Sequence, residues 1–140
     1  MALHFRYTPI KQSDGTTSEI PIIPITILQT EHFFAHALID SGADMCAMFK
    51  PTAELMGIPL DGRREKSRGI GGLVETIHTE LAIKIEQGKE KYIFRMPFKI
   101  ILVDEELPIL LGQEGFFDKF IIKFNKKKNK FSLKRAGKIF

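Results

Sequence analysis

Tryptophan is absent from the 140 residues, tyrosine occurs twice and cysteine once, at Cys46. A single cysteine excludes an internal disulfide, and with it the small crosslinked scaffolds of oxidising compartments. Among mostly apolar neighbours, Cys46 reads as a small buried hydrophobe rather than a nucleophile. Long apolar runs are also missing: the most apolar stretch, IPIIPITIL, is short and twice interrupted by proline. It is too short to span a bilayer, and the N-terminus, MALHFRYTPIKQSDG, lacks the apolar segment of a signal peptide. A soluble, cytoplasmic chain is the expectation, and a domain released from a longer precursor would read the same way. Acidic residues are missing from Lys119 to Phe140, which hold nine Lys or Arg, while the preceding 118 residues carry 12 basic against 17 acidic groups, a net −5. Absent too are an internal repeat, a low-complexity linker and any β-α-β rhythm, which excludes solenoids and doubly wound sheets.

The length suits one domain over residues 1–140, and 44% apolar residues are enough for a core. Strand signals dominate. Ile22 to Gln29 and Phe33 to Ile39 are β-branched, apolar or aromatic runs separated by Thr30-Glu31. From Tyr92 to Leu102 every even position is apolar, the period of a strand with one buried face. Pro97 cannot donate to a ladder, so a bulge, an edge or a break is expected there. Leu81, Ile83 and Ile85 alternate with charged residues, and QGKE supplies the next turn. Helix signals are few: Lys50 to Gly57, with Pro51 near its start and Gly57 to stop it, and a turn or two over Gln113 to Phe120. The chain therefore reads as all-β with one or two short helices. NKKKNK reads as a charged hairpin turn between FIIKF and FSLKR, and it lacks the aromatic interleaving of a nucleic-acid groove.

Three segments carry the chemistry. ALIDSGADMCAMF sends Asp40 out of an apolar strand into a Ser41-Gly42 turn, where a hydroxyl and free N–H groups lie close to a carboxylate. SRGIGGLVETI, with Gly69, Gly71 and Gly72, suits the tip of a β-hairpin. LPILLGQEGFF is an apolar strand running into Gly112. Each alone is an ordinary turn, hairpin or strand end.

Together, in this order, they resemble the retropepsin family, the single-domain aspartic proteases of retroviral type. The family pattern is two hydrophobic residues, Asp, Thr or Ser, Gly and Ala, then a glycine-rich flap, then two hydrophobic residues and Gly. It matches Leu38-Ile39-Asp40-Ser41-Gly42-Ala43, Gly69-Ile70-Gly71-Gly72 and Ile109-Leu110-Leu111-Gly112, within a resemblance spanning roughly residues 20–135. The resemblance implies a retropepsin-like, closed β-barrel-like fold with an N-terminal extension (1–19) and a basic C-terminal hairpin (119–140). It implies an aspartic endopeptidase without cofactor or metal, acting on peptide or protein at acidic to near-neutral pH.

In that family two aspartates share one proton and one water, because like charges about 3 Å apart cannot both ionise. This chain holds one Asp-Ser-Gly, and neither Asp104 nor Asp118 has such a turn. A homodimer is therefore implied, with Asp40 facing its mate. By the same resemblance Asp40, Ser41 and Gly42 are the catalytic loop, with Ser41 bracing the pair. Ala43, Asp44, Gly69, Ile70, Gly71 and Gly72 contact substrate, Gly69 to Gly72 forming the flap tip. Leu111 and Gly112 lie beneath the site. The chain departs from the pattern after Gly112, where retroviral members carry an Arg that pairs with the acid of the catalytic loop. Here Gln113 and Glu114 follow, so that brace is expected to be absent or rebuilt.

Rival readings are weaker. EHFFAH sets His32 and His36 four apart beside Glu31, but Phe33 stands where a zinc-binding HExxH helix needs its glutamate, the stretch reads as a strand, and His4 and His78 are lone. The alternative in another class is a catalytically silent dimerisation or peptide-binding module on the same fold. Nucleic-acid binding through the basic tail is disfavoured for the reason given above.

Overall fold

Short β-branched and aromatic runs, cut by Gly, Pro and charged turns, form the elements that the periodicity predicts. The computed structural model describes residues 2–29, 31–69 and 72–137. In chain order these hold β1 (Ala2–Arg6), β2 (Thr8–Lys11), β3 (Thr17–Ile20), β4 (Ile22–Leu28), β5 (His32–Ile39), β6 (Cys46–Phe49) and α1 (Lys50–Leu55). There follow β7 (Arg64–Gly69), β8 (Gly72–Gln87), β9 (Glu90–Ile101), β10 (Ile109–Leu111), β11 (Phe120–Asn125) and β12 (Lys130–Arg135), with a 3-10 turn at Lys126–Lys128 between the last two.

The main sheet has seven strands in the order β4-β5-β10-β6-β9-β8-β7. β4 also pairs with β8, Ile27 opposite Ile83. Strand pairing thus returns on itself with β7 left as a flange, so the sheet is barrel-like in connectivity rather than a regular closed barrel. A second sheet has the order β1-β12-β11, and β2 and β3 make a separate hairpin. Leu3 on β1 is buried and belongs to the same core cluster as Ile23, Ile83 and Phe98. β1 is thus anchored to the core through Leu3, with Phe5 packed against it, while His4 and Arg6 are exposed. No helix among the described residues is long and apolar enough to cross a membrane.

Two features of β8 and β9 follow from composition. The even positions from Tyr92 to Ile100 are all buried, as period 2 requires. Pro97 does not break β9: opposite Glu80 on β8 it continues the ladder, and pairing of β9 with β6 begins only at Phe98. The expected edge is present at Pro97, on the side where β9 has no second neighbour until the next residue.

Helix expectations divide. α1 forms with Pro51 in its first turn, and the chain leaves it through Gly57 at φ +70°. Gln113 to Phe120 does not form a helix. It is a run of turns in which Phe117 N–H reaches Gly112 C=O and Asp118 N–H reaches Gln113 C=O. Gly115, at φ +98°, takes the backbone out of the helical region in the middle of the segment.

Candidate active site

The loop between β5 and β6 begins where the apolar strand ends. Ile39 is buried, and its neighbour Asp40 is half-buried. The Asp40 carboxylate Oδ1 accepts the Gly42 N–H at 2.9 Å, and the Ala43 N–H donates to Asp40 C=O at 3.2 Å. A short acidic side chain that bonds the backbone two residues on stabilises a tight turn, which is why Asp, Ser and Gly succeed one another here. A Cβ on Gly42 would lie 3.3 Å from Asp40 Oδ1, so this residue is small because the carboxylate folds over it.

The loop hangs from residues 111–114. β10 lies between β5, to which it is parallel, and β6, to which it is antiparallel. Asp40 N–H donates to Leu111 C=O (3.0 Å), Gln113 N–H to Ala43 C=O (2.9 Å) and Glu114 N–H to Asp44 C=O (2.9 Å). The Gln113 side-chain amide donates to Ser41 C=O at 2.8 Å. Gly112 passes directly beneath: a Cβ there would stand 2.5 Å from Met45 O and 2.7 Å from Ala43 O.

Cys46 completes this underside. Its buried Sγ accepts the Gly112 N–H at 3.3 Å and faces Glu114 C=O at 3.7 Å. Burial pushes the thiol up to about 12, the Gly112 hydrogen bond opposing the shift only in part. Cys46 is therefore an inert packing group, as its setting in the sequence suggests. The unfolded thiol ionises near pH 8.5, so between that value and about 12 the unfolded chain binds fewer protons than the folded one, and stability falls as pH rises. Denaturant melts should show an alkaline decline of up to roughly 1.4 kcal/mol per pH unit from this group. Cys46→Ala should flatten that decline; an unchanged slope would assign it elsewhere.

Above the loop lies a cleft of about 560 Å³, lined by Asp40, Ala43 and Asp44 on one side and by Ser67, Val74 and Thr76 of the β7–β8 hairpin on another. Gly42, Lys99 and Leu110 also border it. Thr76 is fully buried, its hydroxyl 3.2 Å from that of Ser67 and 3.4 Å from Glu65 C=O. Arg64–Glu75 (2.9 Å) and His78–Glu65 (3.5 Å) pairs lace the base of the hairpin. Gly69 pairs with Gly72, which has φ +123°, at its far end. The predicted tip residues Ile70 and Gly71 lie outside the described residues.

The structure thus gathers Asp40, Gly42, Ala43 and Asp44 at one cleft, with Leu111 and Gly112 directly behind the loop. Ser41 is exposed. His32 and His36 lie exposed on β5, and no group of three metal-ligating side chains occurs among the described residues. Of the other acids considered, Asp104 faces Lys50 at 3.8 Å and Asp118 accepts the Gly115 N–H at 3.1 Å.

Sequence reasoning missed Lys99, Ser67 and Thr76. Lys99 Nζ stands 3.5 Å from Asp44 Oδ1, the lysine side chain 14% and the aspartate side chain 85% exposed. Gln113 thus holds the Ser41 carbonyl, and Lys99 faces the acid of the loop. With the aspartate this open to solvent, the ion pair contributes at most about 1 kcal/mol. The signal for Lys99 was its position as the lone cation between Phe98 and Ile100.

A mostly-β chain with an Asp-Ser-Gly loop slung from a three-residue strand, facing a β-hairpin across a cleft, has the retropepsin-like fold. One solved structure bears this fold out: the chain is similar to a retropepsin-like aspartic protease from Rickettsia conorii, with a TM-score of 0.67 at 16% identity, over 95% of this chain and 98% of that one. Similarity to EIAV protease, solved in complex with the inhibitor HBY-793, is weaker, with a TM-score of 0.40 at 23% identity over 67% of this chain and 82% of that one. No protein-family model and no curated protein sequence matches the chain.

Proposed function

We propose that the chain is an aspartic endopeptidase in which Asp40 from each of two copies shares one proton and one water. The observation that carries this is the Asp40 loop itself: a half-buried carboxylate at a cleft floor, fixed by the Gly42 N–H and suspended from residues 111–114. One chain supplies one such loop, so the site is complete only in a homodimer.

The ionised carboxylate takes a proton from water, whose oxygen attacks the peptide carbonyl carbon, while the protonated carboxyl gives its proton to the carbonyl oxygen. Collapse of the tetrahedral intermediate breaks the C–N bond, and the leaving amine takes a proton from the dyad. Ser41 braces the two loops across the axis. Gly42 C=O and Asp44 face the substrate backbone, Asp44 being steered by Lys99. The β7–β8 hairpin closes over the peptide and excludes water, with Gly69 to Gly72 at its tip.

The test is incubation of the purified chain with a peptide library at several pH values, with and without a pepstatin-type inhibitor. Inhibitor-sensitive products from the parent chain are expected. Products formed equally by the Asp40→Ala chain would remove the reading.

A further inference from the structure

The basic C-terminal segment takes no part in the cleft, and the register of the second sheet decides where its charges go. Pairing sets Leu3 opposite Leu133 and Phe5 opposite Phe131, residues of the face that packs on the core. Alternate residues therefore share the outer face. Its middle row, across β1, β12 and β11, is His4, Ser132 and Lys123. Lys134 lies in the row on one side, and Arg6 and Lys130 in the row on the other.

Arg6, Lys123, Lys130 and Lys134 are all exposed, and none of them forms an ion pair among the described residues. No acid stands in these rows, and the sequence holds none after Asp118. Glu90, which lines a neighbouring depression with Lys134, accepts from the Tyr92 hydroxyl at 3.0 Å. A second depression of about 200 Å³ is lined by His4, Lys123, Asn125, Lys130 and Ser132, with Phe5 and Phe131 beneath. The hairpin tip is separate: Lys126 Nζ sits 4.9 Å from the Tyr7 ring centroid and 3.4 Å from Glu19 C=O.

We infer that this face binds the phosphodiester backbone of duplex nucleic acid without reading its sequence. Lys130 and Lys134 are four residues apart on one strand, about 14 Å. That length of duplex carries roughly eight phosphate charges, one per about 1.7 Å, and a flat face meets about half of them. Four phosphates thus face four cations. The hydroxyl of Ser132, the imidazole of His4 and the amide of Asn125 supply the neutral donors that backbone contacts use. The aromatic residues missing from NKKKNK are those that stack on unpaired bases, and the outer face has none either. A duplex, with its bases already stacked, needs none. A lipid surface fits less well, because it takes up apolar groups. Ile121, 59% exposed, is the one large apolar side chain in these rows, and Phe124, also exposed, belongs to the opposite face.

Fluorescence anisotropy of a labelled DNA duplex, titrated with the full chain across a salt series, tests this. The logarithm of affinity should fall against that of salt with a slope of about −3.6, or about 0.9 for each of four phosphates. Lys123→Gln and Lys130→Gln should each reduce the slope by about one unit, while Lys66→Gln on the other sheet leaves it unchanged. All three lysines are exposed, so the melting curves should coincide. An unrelated duplex should compete equally. Asp40→Asn should bind as the parent does, so the inference stands or falls apart from the protease reading. No binding at about 50 mM salt, or a slope that neither face variant alters, overturns it. So does tighter binding of single-stranded DNA, polyglutamate or phosphatidylserine vesicles than of the duplex.

Discussion

Asp40→Asn is expected to lower peptide cleavage by at least about 10³-fold while leaving fold and self-association intact. Asparagine keeps an oxygen where Oδ1 accepts the Gly42 N–H, so the turn survives. What it loses is the capacity to take a proton from water, and a positioned general base contributes roughly 10²- to 10⁴-fold. Both halves of the dyad change at once in a homodimer, which places the loss at the high end. Asp40→Ala should be equally inactive but also less stable by about 1 kcal/mol, because it removes the hydrogen bond to Gly42 as well. Paired activity assays and denaturant melts of the two variants separate chemistry from structure. Wild-type activity in Asp40→Asn would end the account, and a silent binding module predicts that outcome for any function the chain has.

The second large effect is expected at Gly112, where Ala should destabilise the chain by about 3 kcal/mol or more. Space, rather than torsion, is the reason. The new methyl would meet Met45 O and C and Ala43 O at 2.5–2.7 Å, all of them backbone atoms that no rotamer change can move aside. Relief requires β10 to back away from the loop, stretching the bonds from Gly112 N–H to Cys46 Sγ and from Gln113 N–H to Ala43 C=O. For a domain with a net stability of some 5–15 kcal/mol, such a change is a large fraction of the total. Urea unfolding gives the answer directly. A change below about 1 kcal/mol would mean that the loop yields easily and is not held from beneath.

How much of this could be read from the sequence depended on whether the signal was local. The Asp40 turn was legible because its causes lie within four residues: an apolar strand end, a carboxylate, a hydroxyl and a glycine. β9 was legible because burial on one face imposes period 2. The turn segment after Gly112 was misread as helical because Phe116, Phe117 and Phe120 have helical spacing, whereas the positive φ at Gly115 decides its path. Lys99 and Thr76 escaped notice because their roles arise from pairings distant in sequence, β9 beside β6 and the hairpin folding over the loop. Least legible was β1, whose pairing with β12 joins the two ends of the chain, Leu3 opposite Leu133. It anchors the N-terminal strand to the core through Leu3.

The fold is shared with a protease, but fold alone does not set activity. What distinguishes the proposal is that each catalytic centre needs a carboxylate from two molecules. The most direct measurement mixes the parent chain with Asp40→Asn at fixed total concentration, allows exchange, and follows the cleavage rate against the parent fraction. Shared centres make every mixed dimer inactive, so the rate should fall as the square of that fraction, to about one quarter in an equal mixture. A rate that falls in simple proportion, to one half, would mean that each chain works alone, and would contradict the account.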